Sequence, residues 1–328
     1  MIALFLDTAD APSSPAPYFH MGGDEVHLGC WNSSREVVDY MSSALARPKR
    51  RKEDFIALWG HFQARATQAL DRAQQALSQT LSQPSEIATD APIPDVDAEV
   101  EGDGQGNSVL RRHEAPDAPA SPSGPGAAPE DDLDEERAAK GGYDATGTTG
   151  MPVILWTSEL TAANVVEKYL DKDRYVIQLW LRAGDPLARD LVSKGYRVIV
   201  STKDAWYLDH GFGNWKGNST SGYGYHPWQV AYDNDPLSGL EGLSGAARQV
   251  LGGEAAMWGE QADQSGASTK TWPRAAAVAE RLWSGSAAGT WTAARIRFVR
   301  HRDRMARLGT PSEAVQPEWC THHEGQCY

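Results

Sequence analysis

The feature that most constrains the fold is an alternation of short apolar runs with helical patterns along the chain. Such a rhythm predicts parallel strands joined by crossover helices. The runs are apolar nearly throughout, as expected for strands covered on both faces. The predicted strands are 18–21, 153–156, 175–181, 197–201 and 250–252, and the predicted helices include 162–170, 186–194, 273–283 and a long amphipathic pattern from Ile56 to Leu77.

Charge is concentrated in one segment of the chain. Residues 84–146 hold 16 acidic and 4 basic residues, a net charge of −12, so only −1 of the total of −13 falls elsewhere. The segment also has eight prolines, seven glycines and one aromatic residue, and this composition cannot bury enough apolar surface to offset the entropy of ordering. We therefore expect a disordered insertion at 84–150. The negative net charge also predicts no nucleic-acid partner, but because it lies mostly in this segment it indicates little about the substrate.

Targeting and cysteine signals are few. No apolar run approaches the roughly 20 residues of a membrane span, so we expect none, and residues 1–6 are too short for a signal-peptide core. Cys320 and Cys327 lie close together in a polar tail and predict a small disulfide loop, which leaves Cys30 without a partner. Asn32 and Asn218 begin Asn-x-Ser/Thr triplets, which add a weak indication of a secretory route but also arise by chance.

Two adjacent carboxylates, Asp24 and Glu25, follow the first strand directly. On a regular strand they would point to opposite faces, but Gly22 and Gly23 allow the backbone to leave strand geometry and aim both at one site. An isolated Asp-Glu pair is usually solvated. The glycines and the strand before them favour a site, because the carboxyl ends of barrel strands are where catalysis occurs.

Aromatic and acidic residues gather at the other strand ends. Any single tryptophan is ordinarily a core residue, yet several at equivalent strand ends, each near a hydroxyl or carboxylate, indicate an aromatic-walled sugar pocket. A metal site at His20 and His27 is a weaker interpretation because their spacing fits no standard ligand set, so we expect no metal and no cofactor. The pocket candidates are Trp156, Trp180, Trp206 to Asp209, Trp258 and Glu260.

Three motifs in order along the chain give a closer likeness. His20 to Val26, Trp206 to Asp209, and Gly252 to Glu260 with Trp272 to Trp283 resemble glycoside hydrolase family 20, the β-N-acetylhexosaminidases. The tail from Gln316 to Cys327 is similar to the C-terminal extension of that family. The resemblance implies an α/β fold that is a partial TIM (β/α)8 barrel, with about five of eight units present.

What the resemblance implies about function is exo-hydrolysis of terminal non-reducing N-acetylhexosamine from β-linked glycans, by a retaining mechanism in which the substrate's own acetamido group attacks. Glu25 would be the general acid and base, Asp24 would orient the acetamido group, and Tyr207 would hold its oxygen. Substrate binding would involve Trp156, Trp180, Asp209, Trp258 and Glu260.

The resemblance implies three further strands before the one that carries Asp24 and Glu25, whereas only 17 residues precede that strand here. Those strands would supply an arginine, a further acidic residue, a histidine and the cysteine that pairs with Cys30. We therefore expect a fragment organised as 1–83 (barrel), 84–150 (insertion), 151–310 (barrel) and 311–328 (tail). A non-catalytic sugar-binding or partner-subunit remnant is the alternative. The resemblance also implies a secretory route (lysosome, vacuole or extracellular space) and a possible homodimer.

Overall fold

The computed structural model describes residues 18–82, 150–212, 224–260, 262–323 and 326–327. The acidic segment that we expect to be a disordered insertion lies outside these residues, apart from Gly150. Asn218 and the first 17 residues lie outside them as well.

Five parallel strands form one sheet in the order β1-β2-β3-β4-β5. They are β1 Phe19–His20, β2 Val153–Trp156, β3 Tyr175–Leu179, β4 Arg197–Val200 and β5 Val250–Gly253. Each lies within or beside one of the five apolar runs, so the sequence-based prediction of a parallel α/β sheet is confirmed. Strand order equals chain order, which is the arrangement that a (β/α) barrel requires.

The two faces of this sheet differ in character. Val153, Leu155, Tyr175 and Ile177 alternate onto one face and are almost fully buried in a core shared with the long helix. Residues paired across parallel strands point to the same face. The register pairs His20 with Ile154 and Trp156 with Gln178, so these four side chains share the opposite face. Polar and aromatic groups therefore line the face turned away from the helices.

Twelve α-helices occur in the described residues, and the predictions at 56–77, 186–194 and 273–283 are confirmed. They are α1 Leu28–Ser33, α2 Arg35–Ser43, α3 Lys52–Ser82, α4 Val166–Tyr169, α5 Pro186–Ser193, α6 Lys203–Trp206, α7 Trp228–Asp233, α8 Ala246–Gln249, α9 Ala267–Thr271, α10 Arg274–Ser284, α11 Trp291–Arg307 and α12 Glu318–His322. Two 3-10 helices are Glu159–Thr161 and Gly285–Ala288.

The helix predicted at 162–170 is shorter in the structure. The backbone N–H of Ser158 donates to the Thr161 hydroxyl (2.8 Å), and this bond supports a 3-10 turn in place of a longer helix. Ala162 then takes an extended conformation (ψ 144°), so α4 begins only after it. A local side-chain bond therefore competes with the helix here.

A second core cluster lies under the end of the sheet. Trp228 of α7 stacks on Phe298 of α11, with ring centroids 4.0 Å apart. Arg281 of α10 is buried and donates to three carbonyl oxygens, those of Tyr232, Gly285 and Gly289. These contacts fix the helices that follow β4 and β5.

The C-terminal tail carries the disulfide expected from the cysteine spacing. Cys320 and Cys327 are bonded with an S–S distance of 2.08 Å, while Cys30 is exposed and has a free thiol. Within the described parts of the chain, we find no helix long and apolar enough to cross a membrane.

Candidate active site

The turn after β1 carries the two carboxylates. Gly22 (φ 69°), Gly23 (φ 85°) and Glu25 (φ 51°) all have left-handed backbone conformations, so the chain leaves strand geometry here as the glycines predict. A Cβ on Gly23 would lie 3.3 Å from Cδ2 of Leu155, which leaves little room for a side chain. Positive φ at a non-glycine residue is uncommon and often occurs at functional sites. Asp24 is half-buried, whereas Glu25 is exposed.

Gly22 is held on both sides of its backbone. Its carbonyl oxygen accepts a hydrogen bond from the Trp156 N–H (2.9 Å), and its own N–H donates to Nδ1 of His20 (2.9 Å). The His20 ring also packs against the Trp156 indole, with centroids 5.3 Å apart. The turn is thereby attached both to its own strand and to β2.

Three aromatic rings from separate strand ends form a continuous surface beside this turn. Trp258 lies 6.1 Å from Trp156 and 6.3 Å from Tyr207, measured between ring centroids. Tyr207 reaches this position because it pairs with Ala256 in a parallel β-bridge beyond the ends of β4 and β5. The Leu208 N–H donates to the Ala256 carbonyl (2.7 Å). Trp258 remains 41% exposed, so its ring is accessible to a ligand.

The hydroxyl of Tyr207 lies in the field of several carboxylates. Tyr207 is 5% exposed, and burial is the main cause that raises its pKa above the ordinary value. A hydrogen bond with the Trp258 side chain acts in the opposite direction, while the charges of Asp209, Asp24 and Glu25 raise the pKa further. The hydroxyl therefore stays protonated at neutral pH and can donate a hydrogen bond.

Asp209 is a second half-buried carboxylate of the site. Its pKa is raised, mainly by burial and also by the charge of Glu260. Hydrogen bonds from its own backbone N–H and from that of Trp258, together with the charge of Arg274, act in the opposite direction. Its Oδ1 atom is buried and has no hydrogen-bond partner among the described residues. Buried acceptors are ordinarily satisfied, so an oxygen without a partner is unusual at this position.

Trp180 lies apart from the three-ring surface. Its indole N–H donates to the carbonyl of Thr157 (2.7 Å), and Nζ of Lys203 lies 4.7 Å from its ring centroid. The Trp258 ring thus contacts those of both Trp156 and Tyr207, and Trp180 is not part of this group. Glu260 is exposed at the rim, where its charge acts on Asp209.

Comparison with known proteins agrees with this geometry. A family model described as the catalytic domain of glycosyl hydrolase family 20 matches residues 136–286. The chain is 36% identical over 312 residues to a chitooligosaccharidolytic β-N-acetylglucosaminidase of Ostrinia furnacalis, covering 94% of this chain and 39% of that protein. It is 34% identical over 326 residues to a protein of the same description from Bombyx mori, covering 99% and 41%. This chain belongs to glycosyl hydrolase family 20.

The family 20 chain spans about two fifths of the length of these curated relatives. A solved family 20 exo-β-N-acetylglucosaminidase from Vibrio harveyi, in complex with N-acetylglucosamine, matches with a TM-score of 0.55 at 17% identity, covering 96% of this chain and 36% of that one. This likeness shows the fold, which is α/β and TIM-barrel-like. The range that the family model matches includes Tyr207 and Asp209 and begins after Asp24 and Glu25.

Two contacts at the candidate site of this family 20 chain could not be predicted from the sequence. Gln178 is buried in β3 and bonds to His20, although the only signal for it is a polar residue within an apolar run. Arg274 is buried at the start of α10 and lowers the pKa of Asp209, yet its motif gives no indication of that contact. His27, considered for a metal, instead caps α1 by accepting a hydrogen bond from the Cys30 N–H.

Proposed function

We propose that this chain is a catalytic part of a β-N-acetylhexosaminidase that removes terminal non-reducing N-acetylhexosamine from β-linked glycans with retention of configuration. The observation that carries the proposal is the meeting of the Asp24-Glu25 turn, the Tyr207 hydroxyl and the Trp156–Trp258 surface at the carboxyl edge of a parallel sheet. Active sites of barrel enzymes occur at this edge.

The reaction divides among three side chains. In family 20, the acetamido oxygen of the substrate attacks the anomeric carbon, so no enzyme nucleophile is needed. Glu25 protonates the leaving glycosidic oxygen and then removes a proton from the attacking water. Asp24 accepts the acetamido N–H and stabilises the positive charge of the oxazolinium-like intermediate, while the protonated Tyr207 hydroxyl positions the acetamido oxygen.

Binding of the sugar uses the remaining candidates. The rings of Trp156 and Trp258 stack on the apolar parts of the sugar and its acetamido methyl group, and Trp180, which lies outside their surface, contributes only from the edge of the pocket. Asp209, which is half-buried, accepts one sugar hydroxyl, and the exposed Glu260 accepts another at the rim. The curated relatives named chitooligosaccharidolytic β-N-acetylglucosaminidase support β-linked N-acetylglucosamine as the substrate class.

The organisation of the chain is part of the proposal. Five β/α units correspond to part of an eight-unit barrel, with barrel segments at 1–83 and 151–310, an acidic insertion at 84–150 and a tail at 311–328. The Cys320–Cys327 disulfide supports a secretory route, because disulfides persist in oxidising compartments. Asn32, exposed on α1, is a glycosylation acceptor on that route, as is Asn218, and a homodimer is the proposed assembly.

The decisive test is hydrolysis of 4-nitrophenyl N-acetyl-β-glucosaminide by the 328-residue chain. We expect turnover that is lost in Glu25→Gln and kept in Glu53→Gln, since Glu53 is an exposed residue in the first turn of α3. Equal turnover in the wild type and Glu25→Gln would refute the assignment of the acid.

A wild-type chain without turnover that still binds N-acetylglucosamine, measured by tryptophan fluorescence, would support the second candidate. That candidate is a non-catalytic sugar-binding or partner-subunit form of the same fold. It is favoured by one observation, the exposure of Glu25 and Trp258 on a sheet that has two unpaired edges among the described residues.

A further inference from the structure

A hydrogen-bonded chain crosses the sheet beneath the carboxylate turn. Nε2 of His20 in β1 lies 3.0 Å from Oε1 of Gln178 in β3, and Nε2 of Gln178 donates to the hydroxyl of Ser201 beyond β4 (2.9 Å). The chain therefore spans from β1 to the end of β4 on the face that the site occupies. Gln178 and Ser201 are almost completely buried.

The proton positions along this chain follow from its ends. Nδ1 of His20 accepts the Gly22 N–H, so in the neutral ring the proton resides on Nε2. Nε2 then donates to the carbonyl oxygen of the Gln178 amide, whose NH2 group is left to donate to Ser201. This orientation of the Gln178 amide satisfies both its oxygen and its NH2 group. The reversed orientation would place the NH2 group against the Nε2–H of His20, so that two donors would face each other.

The hydrogen bonds of His20 affect the position of the two carboxylates through Gly22. The His20 ring is fixed by Gln178 on one nitrogen and holds the Gly22 N–H with the other. Gly22 begins the left-handed turn from which Asp24 and Glu25 project. A buried amide in a strand otherwise made of apolar and aromatic residues is costly unless it serves such a bond.

We propose that Gln178 is a positioning residue, which sets the tautomer and orientation of His20 and thereby the backbone turn that aims Asp24 and Glu25. The predicted effect of Gln178 on catalysis rests on the proposed function, whereas its effect on the His20 tautomer and the Gly22 turn does not. Gln178 itself acts only through His20.

The test compares Gln178→Met, which keeps the length of the side chain without its amide, with Gln178→Glu, which retains an acceptor for His20. Gln229→Met is the matched control, because Gln229 lies on α7 and its Oε1 has no hydrogen-bond partner among the described residues. Two-dimensional NMR of the imidazole nitrogens reports the His20 tautomer, and amide exchange reports the Gly22 N–H, both in the full chain without substrate.

We expect the wild type and Gln178→Glu to show the Nε2-protonated ring and a protected Gly22 N–H. Gln178→Met should lose the single tautomer and exchange the Gly22 amide at least about threefold faster, the loss expected for one net hydrogen bond. In the glucosaminide assay, kcat should fall about 10-fold to 100-fold in Gln178→Met, with KM changed less and recovery in Gln178→Glu, because misplacing reacting groups costs that much.

The two readouts separate failure of this inference from failure of the proposed function. An inactive wild type would count against the activity alone, and the NMR comparison would still decide the role of Gln178. A His20 ring protonated on Nδ1 in the wild type, or an unchanged His20 and Gly22 in Gln178→Met, would overturn the inference. So would a kcat in an active Gln178→Met chain equal to that of Gln229→Met.

Discussion

Replacement of Tyr207 by phenylalanine removes one oxygen atom from the proposed site and leaves the rest in place. The ring is 5% exposed and contacts Trp258 and His210, with centroids 6.3 and 5.2 Å away, so the phenylalanine ring should keep the same position. The lost hydroxyl is the proposed donor to the acetamido oxygen. Since burial holds its pKa above the ordinary value, that donor is present throughout the working pH range.

The size of the effect follows from the role of the hydroxyl. Removing one preorganised donor from a developing charge costs about 100-fold to 1,000-fold in kcat, or roughly 3 to 4 kcal/mol in the barrier. The folded state loses only the hydrogen bond with the Trp258 side chain, worth about 1 kcal/mol. We therefore expect a large fall in kcat, measured with the 4-nitrophenyl glucosaminide, and a small fall in the free energy of unfolding.

Tyr196→Phe provides the matched control with the opposite outcome. Tyr196 is 2% exposed, its hydroxyl donates to the Leu170 carbonyl (2.6 Å), and burial raises its pKa as it does for Tyr207. Its loss should cost about 1 to 3 kcal/mol in stability, because it leaves a buried carbonyl without a donor, and should leave kcat unchanged. A Tyr207→Phe chain that is folded and retains kcat within threefold of the wild type would refute the assigned role.

Three further predictions concern the supports of the site. Gly23 has φ 85°, and an added Cβ would lie 3.3 Å from Leu155. Gly23→Ala should therefore lower the free energy of unfolding by about 1 to 3 kcal/mol and also lower kcat. An unchanged midpoint of urea unfolding would contradict this. Burial lowers the pKa of His210 to about 4 from 6.5, so the folded protein binds fewer protons than the unfolded chain between these values. The free energy of unfolding should therefore fall by about 1 kcal/mol, allowing for solvent screening, as the pH drops from 6.5 to 4. His210→Gln should lose this dependence, and an unchanged dependence of the unfolding free energy on pH in that variant would contradict the prediction. Arg281→Met should cost about 1.5 to 3 kcal/mol, because it removes the charged donor of hydrogen bonds to three carbonyl oxygens, of which that of Tyr232 is buried. The exposed Arg300→Met should change stability by less than about 0.5 kcal/mol in the same thermal melts.

The sheet was predictable because its signal is local and repeated. A run such as Val153–Trp156 has no polar residue, and strands that are covered on both faces need none. The turn at Gly22 and Gly23 was predictable for a related reason, since two adjacent glycines before two carboxylates relieve the alternation of a strand. In both places the sequence-based expectation agrees with the structure.

Other parts of the site depend on contacts between distant residues, which a single sequence does not encode locally. Tyr207 meets Trp258 through a β-bridge to Ala256, 49 positions further along the chain. Trp180 has the same strand-end position as Trp156, yet the Thr157 carbonyl takes its N–H and Lys203 covers its ring. Position at a strand end therefore predicts the edge on which a side chain lies, but not which neighbour it contacts.

The proposed site thus consists of two halves with separate supports. The carboxylate turn is held by Trp156 on β2 and, through His20, by Gln178 on β3, whereas Tyr207 and Trp258 are held by the pairing beyond β4 and β5. The halves meet through the Trp156–Trp258 ring contact and through charge acting between the carboxylates and the Tyr207 hydroxyl. A sugar whose acetamido group binds Asp24 and Tyr207 together joins both halves, so the precision of catalysis depends on the relative placement of strands that no local bond links directly.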